Sequence, residues 1–549
     1  MVSKSLPRIA AVISLELRTQ RREPLTVLYM LVLGFLAVAF SAAGPVELVR
    51  NRGAVPRDAA WSMLLAATAL TAFGQVITTM VAATVVLRDD ADRIRDLLNV
   101  TRLSRREYLL GKLFVALGML CVIYTSIPVG LVIGALLAGG SLTAALNASL
   151  PPFLFVVLPT MIAIGALQFA AGVLSGRLWL IVAQGLVMIW IWSACVDAAQ
   201  SPSLGGAAAL LDPFGSAAVL RATAAWTDAE RATNTMPVTG LILGGRLLWL
   251  LLGAAASCAA VLRPARERVR TVASRGESAE MPTRQTHMPL LRSASHNQWK
   301  GMTATAEYVA RWMLRDAGWR VLAVLCAVNV GVHAAFDVRV GTPSHDITAT
   351  TAALLALRVH SRVFLILLAT IYAGELVWRE REDRSAPLFD ALPASDAALL
   401  VGRLLGVLAA QFALVAALAL TAAVCTMAAT NEPVYIGTYL AGITQTVMLP
   451  FVAWMVVALG VHVAVQQKVV GHLLCITGWA VAVLTAQIDA APAAGDTVGG
   501  WWLLSAAVAL LAAWLGWSRG DTASAADRYR IARRRLEFRR RSDSSAGNA

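Results

Sequence analysis

Apolar residues gather into runs of about twenty, separated by short charged or turn-forming stretches. Such runs lie near 25–43, 61–87, 110–138, 150–175, 178–197 and 240–262, and again near 319–336, 361–378, 398–429, 441–465, 470–488 and 500–517. An α-helix of ~20 apolar residues covers the ~30 Å hydrocarbon core of a bilayer. The pattern therefore predicts an all-α membrane protein with about twelve transmembrane helices in two sets of six.

Charge supports this reading and gives it an orientation. The basic stretches Arg88 to Lys112, Arg177, Arg263 to Arg320, Arg379 to Arg403, Lys468 and Arg519 to Arg541 all fall between alternate pairs of runs. Lys and Arg concentrate in cytoplasmic loops, so both termini are expected in the cytoplasm. The loop 44–60, with Arg50, Arg52 and Arg57 against Glu47 and Asp58, is a mild exception. The first apolar run follows a charged stretch and has no small-residue cleavage site, which reads as a retained span rather than a cleaved signal.

Composition excludes a soluble globular protein. The chain is 58% apolar and 15% charged, with a mean hydropathy of +0.66, against roughly 45–50% and ~25% for soluble domains. The net charge of +14 lies mostly in loops on one side, so no nucleic-acid partner is expected. Six cysteines stand singly in apolar runs and read as buried, inert thiols.

The two sets of six spans contain a repeat. Residues 87–113 superpose without a gap on residues 378–404: Arg88 on Arg379, Asp89 on Glu380, Asp92 on Asp383, Arg93 on Arg384, Leu97 on Leu388, Ser104 on Ser395, Gly111 on Gly402 and Lys112 on Arg403. The offset is 291 (379 − 88), and it also carries Leu158-Pro159 onto Leu449-Pro450 and Arg177 onto Lys468. Six spans per copy make a direct repeat, with both copies in the same orientation. The expected organisation is a first half at 1–262, a polar linker at 263–306, a second half at 307–517 and a basic tail at 518–549, the tail holding orientation against anionic lipid.

Several chemistries are missing from the sequence. There is no GxxxxGK[ST] loop, because Gly111-Lys112 lacks the upstream glycine and the following Ser or Thr. The seven histidines form no HExxH or other ligand spacing. No catalytic residue, metal or cofactor is assigned to this chain. Ionisable residues at mid-membrane depth, the mark of ion-coupled transport, are scarce. The deep polar residues are Gln75, Gln168, Gln184, Gln411, Gln445, His462 and His472, of a kind that hydrogen-bonds between helices.

The repeated loop offers a docking surface instead. In each copy a span ends in charges, passes a small apolar knob (Leu97, Leu98 or Leu388, Phe389), turns at Ser104 or Ser395 and re-enters at Gly111-Lys112 or Gly402-Arg403. A charged helix with an exposed apolar tip suits a partner's groove. Arg88, Asp89, Arg93, Leu97 and Leu98, with Arg379, Glu380, Arg384, Leu388 and Phe389, are the candidate docking residues. Glu375 and Arg379, four apart, are expected to brace the span end.

This arrangement resembles the permease subunit of type-2 ABC exporters of the bacterial cytoplasmic membrane. The resemblance implies that the two loops contact separate ATPase subunits, in two copies, and that ATP is bound there. It also implies an amphipathic elbow helix before each half. Leu6, Ile9, Ile13 and Leu17, followed by Arg18, Arg21 and Arg22, match the first, and Glu307 to Asp316 the second. A narrower similarity, over Leu210 to Leu250 and Tyr372 to Glu382, is to bacterial double permeases fused to a zinc aminopeptidase, from which this chain departs in having no peptidase part after its twelfth expected span. In the outer segment, Asp212, Asp228, Glu230 and Arg231 suit either an exit gate or a folded cap held by Asp212 at a short helix. Alternative functions are an ion-coupled secondary transporter and a membrane anchor or regulator of a separately encoded enzyme.

Overall fold

The computed structural model describes residues 5–20, 25–43, 59–91, 103–237, 239–263, 298–340, 348–382, 395–465, 467–488 and 500–516. Among them every regular element is helical: α1 (Ser5–Gln20), α2 (Leu25–Ala43), α3 (Ala60–Phe73), α4 (Gln75–Ala91), α5 (Arg105–Tyr124), α6 (Ser126–Leu137), α7 (Leu142–Pro152), α8 (Leu158–Ser175), α9 (Leu178–Ala198), α10 (Gly205–Leu211), α11 (Ser216–Ala222), α12 (Asp228–Thr233) and α13 (Gly240–Leu262), then α14 (Gln298–Arg315), α15 (Ala317–Val340), α16 (Ala349–Glu382), α17 (Asp396–Thr430), α18 (Ile436–Ile443), α19 (Leu449–Ala464), α20 (Lys468–Ile488) and α21 (Gly500–Gly516). Among the described residues ten helical stretches, the first at Leu25–Ala42 and the last at Ile436–Ala464, are long and apolar enough to cross a membrane. The protein is a multi-pass, all-α membrane protein. The eleventh and twelfth expected runs fall on α20 and α21. Of the expected linker, 263–306, residues 264–297 lie outside the described residues, as does the basic tail, while residues 298–306 are not linker but the first turns of α14.

The chain divides into two compact units, Met1–Ala265 with Thr477–Pro492, and Arg266–Ile476 with Ala493–Ala549. In the first, helices approach closely wherever small residues face each other, which is how membrane helices gain dispersion contacts where lipid gives no hydrophobic drive. A Cβ on Gly134 of α6 would lie 2.7 Å from the Val38 carbonyl of α2, and one on Gly253 of α13 only 2.6 Å from the Ala163 carbonyl of α8. The second expected span is two helices, parted at Gly74, where the Tyr124 hydroxyl occupies the space a side chain would need and bonds Thr78 at 2.8 Å.

Other boundaries depart from the apolar runs. The run near 361–378 belongs to a helix of 34 residues that begins at Ala349 and passes straight through Arg358, His360 and Arg362. The fourth run begins within the last turn of α7, which carries Pro151 and Pro152 and feeds a five-residue π segment, Phe153–Val157, before Leu158-Pro159. A second π segment, Thr444–Met448, stands before Leu449-Pro450, again 291 residues on.

The deep amides and imidazoles do not all bond between helices. Gln168 of α8 donates to Thr79 of α4 at 2.8 Å. Among the described residues the side-chain amides of Gln184 and Gln411 are buried with no hydrogen-bond partner, the His462 ring meets His472 edge-on, Gln445 is exposed, and His472 bonds within its own helix, to the Lys468 carbonyl.

Candidate docking site at the repeated loops

Each loop springs from a charged helix end and returns through a capped helix start. Ser104 accepts from the Glu107 amide, while Glu107 reaches back to the Ser104 amide at 2.9 Å, a reciprocal capping box. Ser395 accepts likewise from Ala398 at 3.2 Å. Such caps satisfy the orphan amides of a first turn and fix where each span begins.

About two turns further in, eight residues past each capping serine, an ion pair joins the two sides of each loop. In the first copy Lys112 Nζ lies 2.7 Å from Asp89 Oδ2 and 2.7 Å from the Val85 carbonyl. In the second copy Arg403 lies 2.7 Å from Glu380. These are the residues that the offset of 291 superposes. The first pair extends into a buried cluster: Arg88 bonds Glu16 of α1 at 2.6 Å, Tyr108 donates to Asp89, and Glu16 stands 4.0 Å from Lys112. Two carboxylates thus meet two cations with almost no water, Lys112 being 2% exposed.

Arg88 and Asp89, read from sequence as facing a partner, are therefore engaged inside the protein. Arg379 lies over the Trp312 ring of α14, 3.9 Å from its centroid, and Glu380 is held by Arg403. Glu375 pairs with Lys468 at 2.7 Å, a partner that spacing along one helix did not suggest. The other candidates, Arg93, Leu97, Leu98, Arg384, Leu388 and Phe389, lie outside the described residues.

An amphipathic helix covers the root of each loop. On α1 the face toward α5 is Ile9, Val12 and Glu16, while Leu6, Leu15 and Leu17 stay exposed, as expected of a helix lying in the membrane interface. It sits close because position 111 is glycine: a Cβ there would lie 2.6 Å from Val12. In the second copy α14 begins nine residues before the expected Glu307, and a Cβ on Gly402 would lie 2.7 Å from its Met302 carbonyl.

The outer segment of the first unit is folded around a residue the sequence reading passed over. Arg246 of α13, 3% exposed, donates to the carbonyls of Asp212 and Pro213 at 2.6 and 2.7 Å and to Thr160 at 2.5 Å. Asp212 accepts from the Phe214 and Ala217 amides at 2.8 and 2.6 Å and so caps α11, the cap of the two readings. Gly215, at φ 93°, takes the left-handed turn between them. Burial pushes the Asp212 carboxyl above its ordinary range, against the pull of Arg246 and these amides. Glu230 is held below its range by the Thr227 amide and hydroxyl it caps. An ionisable residue six positions into an apolar run was the signal available for Arg246.

Among the described residues no three His, Cys, Asp or Glu side chains gather to hold a metal. No protein-family model matches this chain, and no curated protein matches it.

Proposed function

We propose that the chain is the transmembrane permease component of an ATP-driven exporter in a bacterial cytoplasmic membrane. Two six-helix halves form a direct repeat, served by two copies of a separate ATPase. The observation that carries the reading is the shared build of the two loop roots: an acid–base pair at 2.7 Å in each, a serine cap in each, and an amphipathic helix pressed onto a glycine in each. A lever transmits force only if its base is stiff. Internal pairing of Asp89 with Lys112 and Glu380 with Arg403 makes the base stiff while leaving the loop tips to the partner.

In this reading, closure of the ATPase pair on ATP pushes the two loops, and the halves shift between two packed arrangements that open to opposite sides. The test is reconstitution with the ATPase encoded beside this chain. A stable complex with chain-stimulated ATP hydrolysis is expected, and charge reversal at both Arg93 and Arg384 is expected to release the ATPase. No complex, or recruitment unchanged by the double reversal, overturns the assignment. Ion-driven uptake by the chain alone in proteoliposomes without ATP would favour a secondary transporter.

A further inference from the structure

A groove of about 630 Å³ runs between α5, α8 and α13. Leu110 and Leu117 of α5 and Leu251 and Ala254 of α13 form its walls, with Ala163 and Ala166 of α8 between them. Its shape follows from the packing. Helix α13 presses onto α8 at Gly253, and Ser257 donates to the Ala166 carbonyl at 2.9 Å, so its one hydroxyl is already satisfied. At the loop end Arg105 ties α5 to the last turn of α13, donating to the carbonyls of Ala260 and Arg263 at 3.3 and 2.6 Å.

Its neighbour Arg106 lines the groove, is exposed, and makes no hydrogen bond or ion pair with any described residue. The groove is otherwise apolar, within three helices long and apolar enough to span a bilayer. From Arg106 to Leu117 the helix rises ~16 Å, about half of a ~30 Å hydrocarbon core. A slot one leaflet deep with a free guanidinium at its headgroup end has the dimensions and charge of a phospholipid.

We propose that this groove holds one anionic phospholipid from the leaflet on the side of the basic loops, its acyl chains along Leu110, Leu117 and Leu251 and its net negative headgroup, with no choline cation to repel the guanidinium, on Arg106. The inference rests on the helices spanning a bilayer and stands apart from the exporter reading. The test is native mass spectrometry of the full chain released from detergent micelles, titrated with phosphatidylglycerol or with phosphatidylcholine of the same acyl chains. Wild type is expected to bind phosphatidylglycerol about fivefold more tightly, as ~1 kcal/mol per arginine near the headgroups gives. Arg106→Gln is expected to erase that preference and keep a weak, equal affinity for both lipids. Ala254→Trp and Leu251→Trp, both at exposed positions, are expected to reduce binding of either lipid without lowering the unfolding temperature. Equal affinities in wild type, a preference that survives Arg106→Gln, or Trp variants that bind both lipids as before would each overturn the proposal.

Discussion

Replacing Lys112 by Met tests the charge cluster beneath α1. The site holds Glu16 and Asp89 against Arg88 and Lys112, all buried or nearly so. At 2.7 Å and an effective dielectric of about 20, the gross attraction between Lys112 and Asp89 is ~6 kcal/mol, and that between Lys112 and Glu16, at 4.0 Å, is ~4 kcal/mol. Taking each ion out of water costs several kcal/mol, so the intact cluster contributes little net stability. Removing one cation is different, because it strands a carboxylate, and the expected loss is about 3–5 kcal/mol. Met has nearly the length of Lys and leaves no large cavity, so the loss reports charge. In Asp89→Asn/Lys112→Met the remaining pair, Glu16 with Arg88, is neutral again, and Tyr108 still has an oxygen to donate to. The double variant is expected to recover most of the stability, giving a coupling of about 2–3 kcal/mol in the double-mutant cycle. Denaturant unfolding in detergent, followed by circular dichroism, measures all four species. Losses that add to within ~0.5 kcal/mol would mean that the two charges do not depend on each other, and the cluster would lose its role as a brace.

Gly111→Leu is expected to wedge α1 off α5 at a cost of about 1–3 kcal/mol, seen as faster hydrogen exchange across Ser5–Gln20; unchanged exchange would refute the close packing. Arg246→Met leaves the Asp212 and Pro213 carbonyls and the Asp212 carboxylate without their buried cation, and about 3–5 kcal/mol is expected to be lost, with limited proteolysis opening 199–237 before the spans. Glu230 carries a lowered folded-state pKa from its cap on Thr227, so its contribution to α12 is present above the ordinary carboxylate pKa and fades as pH falls through the folded value. The protection of α12 against exchange, taken relative to the intrinsic amide rate at each pH, is therefore expected to fall as Glu230 is protonated, and Thr227→Ala is expected to remove that dependence.

The spans were legible because a bilayer demands a length of apolar chain that little else in a sequence imitates. The start of α16 was not, since Arg358, His360 and Arg362 break the apolar run while leaving helical hydrogen bonding intact. Gly74 gave no warning of a break, because its reason is a tyrosine fifty residues away. The offset of 291 named Asp89, Lys112, Glu380 and Arg403 as matched, but charge at a helix end reads as solvent-facing until the helix that covers it is placed. Glu16 supplies that cover from a stretch whose polar face, in one dimension, resembles any interfacial helix. Arg246 shows the complementary failure: two of its three hydrogen-bond partners are backbone carbonyls of the Asp-Pro segment, which have no letter in the sequence.

The π segments have a geometric consequence for the helices that contain them. One residue more than the α-helical count turns everything beyond it by ~100° about the axis at a cost of ~1.5 Å in length. Before Phe153–Val157 the helix turns Ala145 and Ala148 toward Met63 and Ala135. After it, Gly165 faces Leu120, Ala163 meets Gly253 and Gln168 bonds Thr79. A straight α-helix with one apolar stripe would serve one of these neighbourhoods and turn the wrong side to the other. The inserted residue acts as a phase shifter, so a single crossing of the bilayer carries two differently aimed faces, and Thr444–Met448 sets the same change of aim in the second unit.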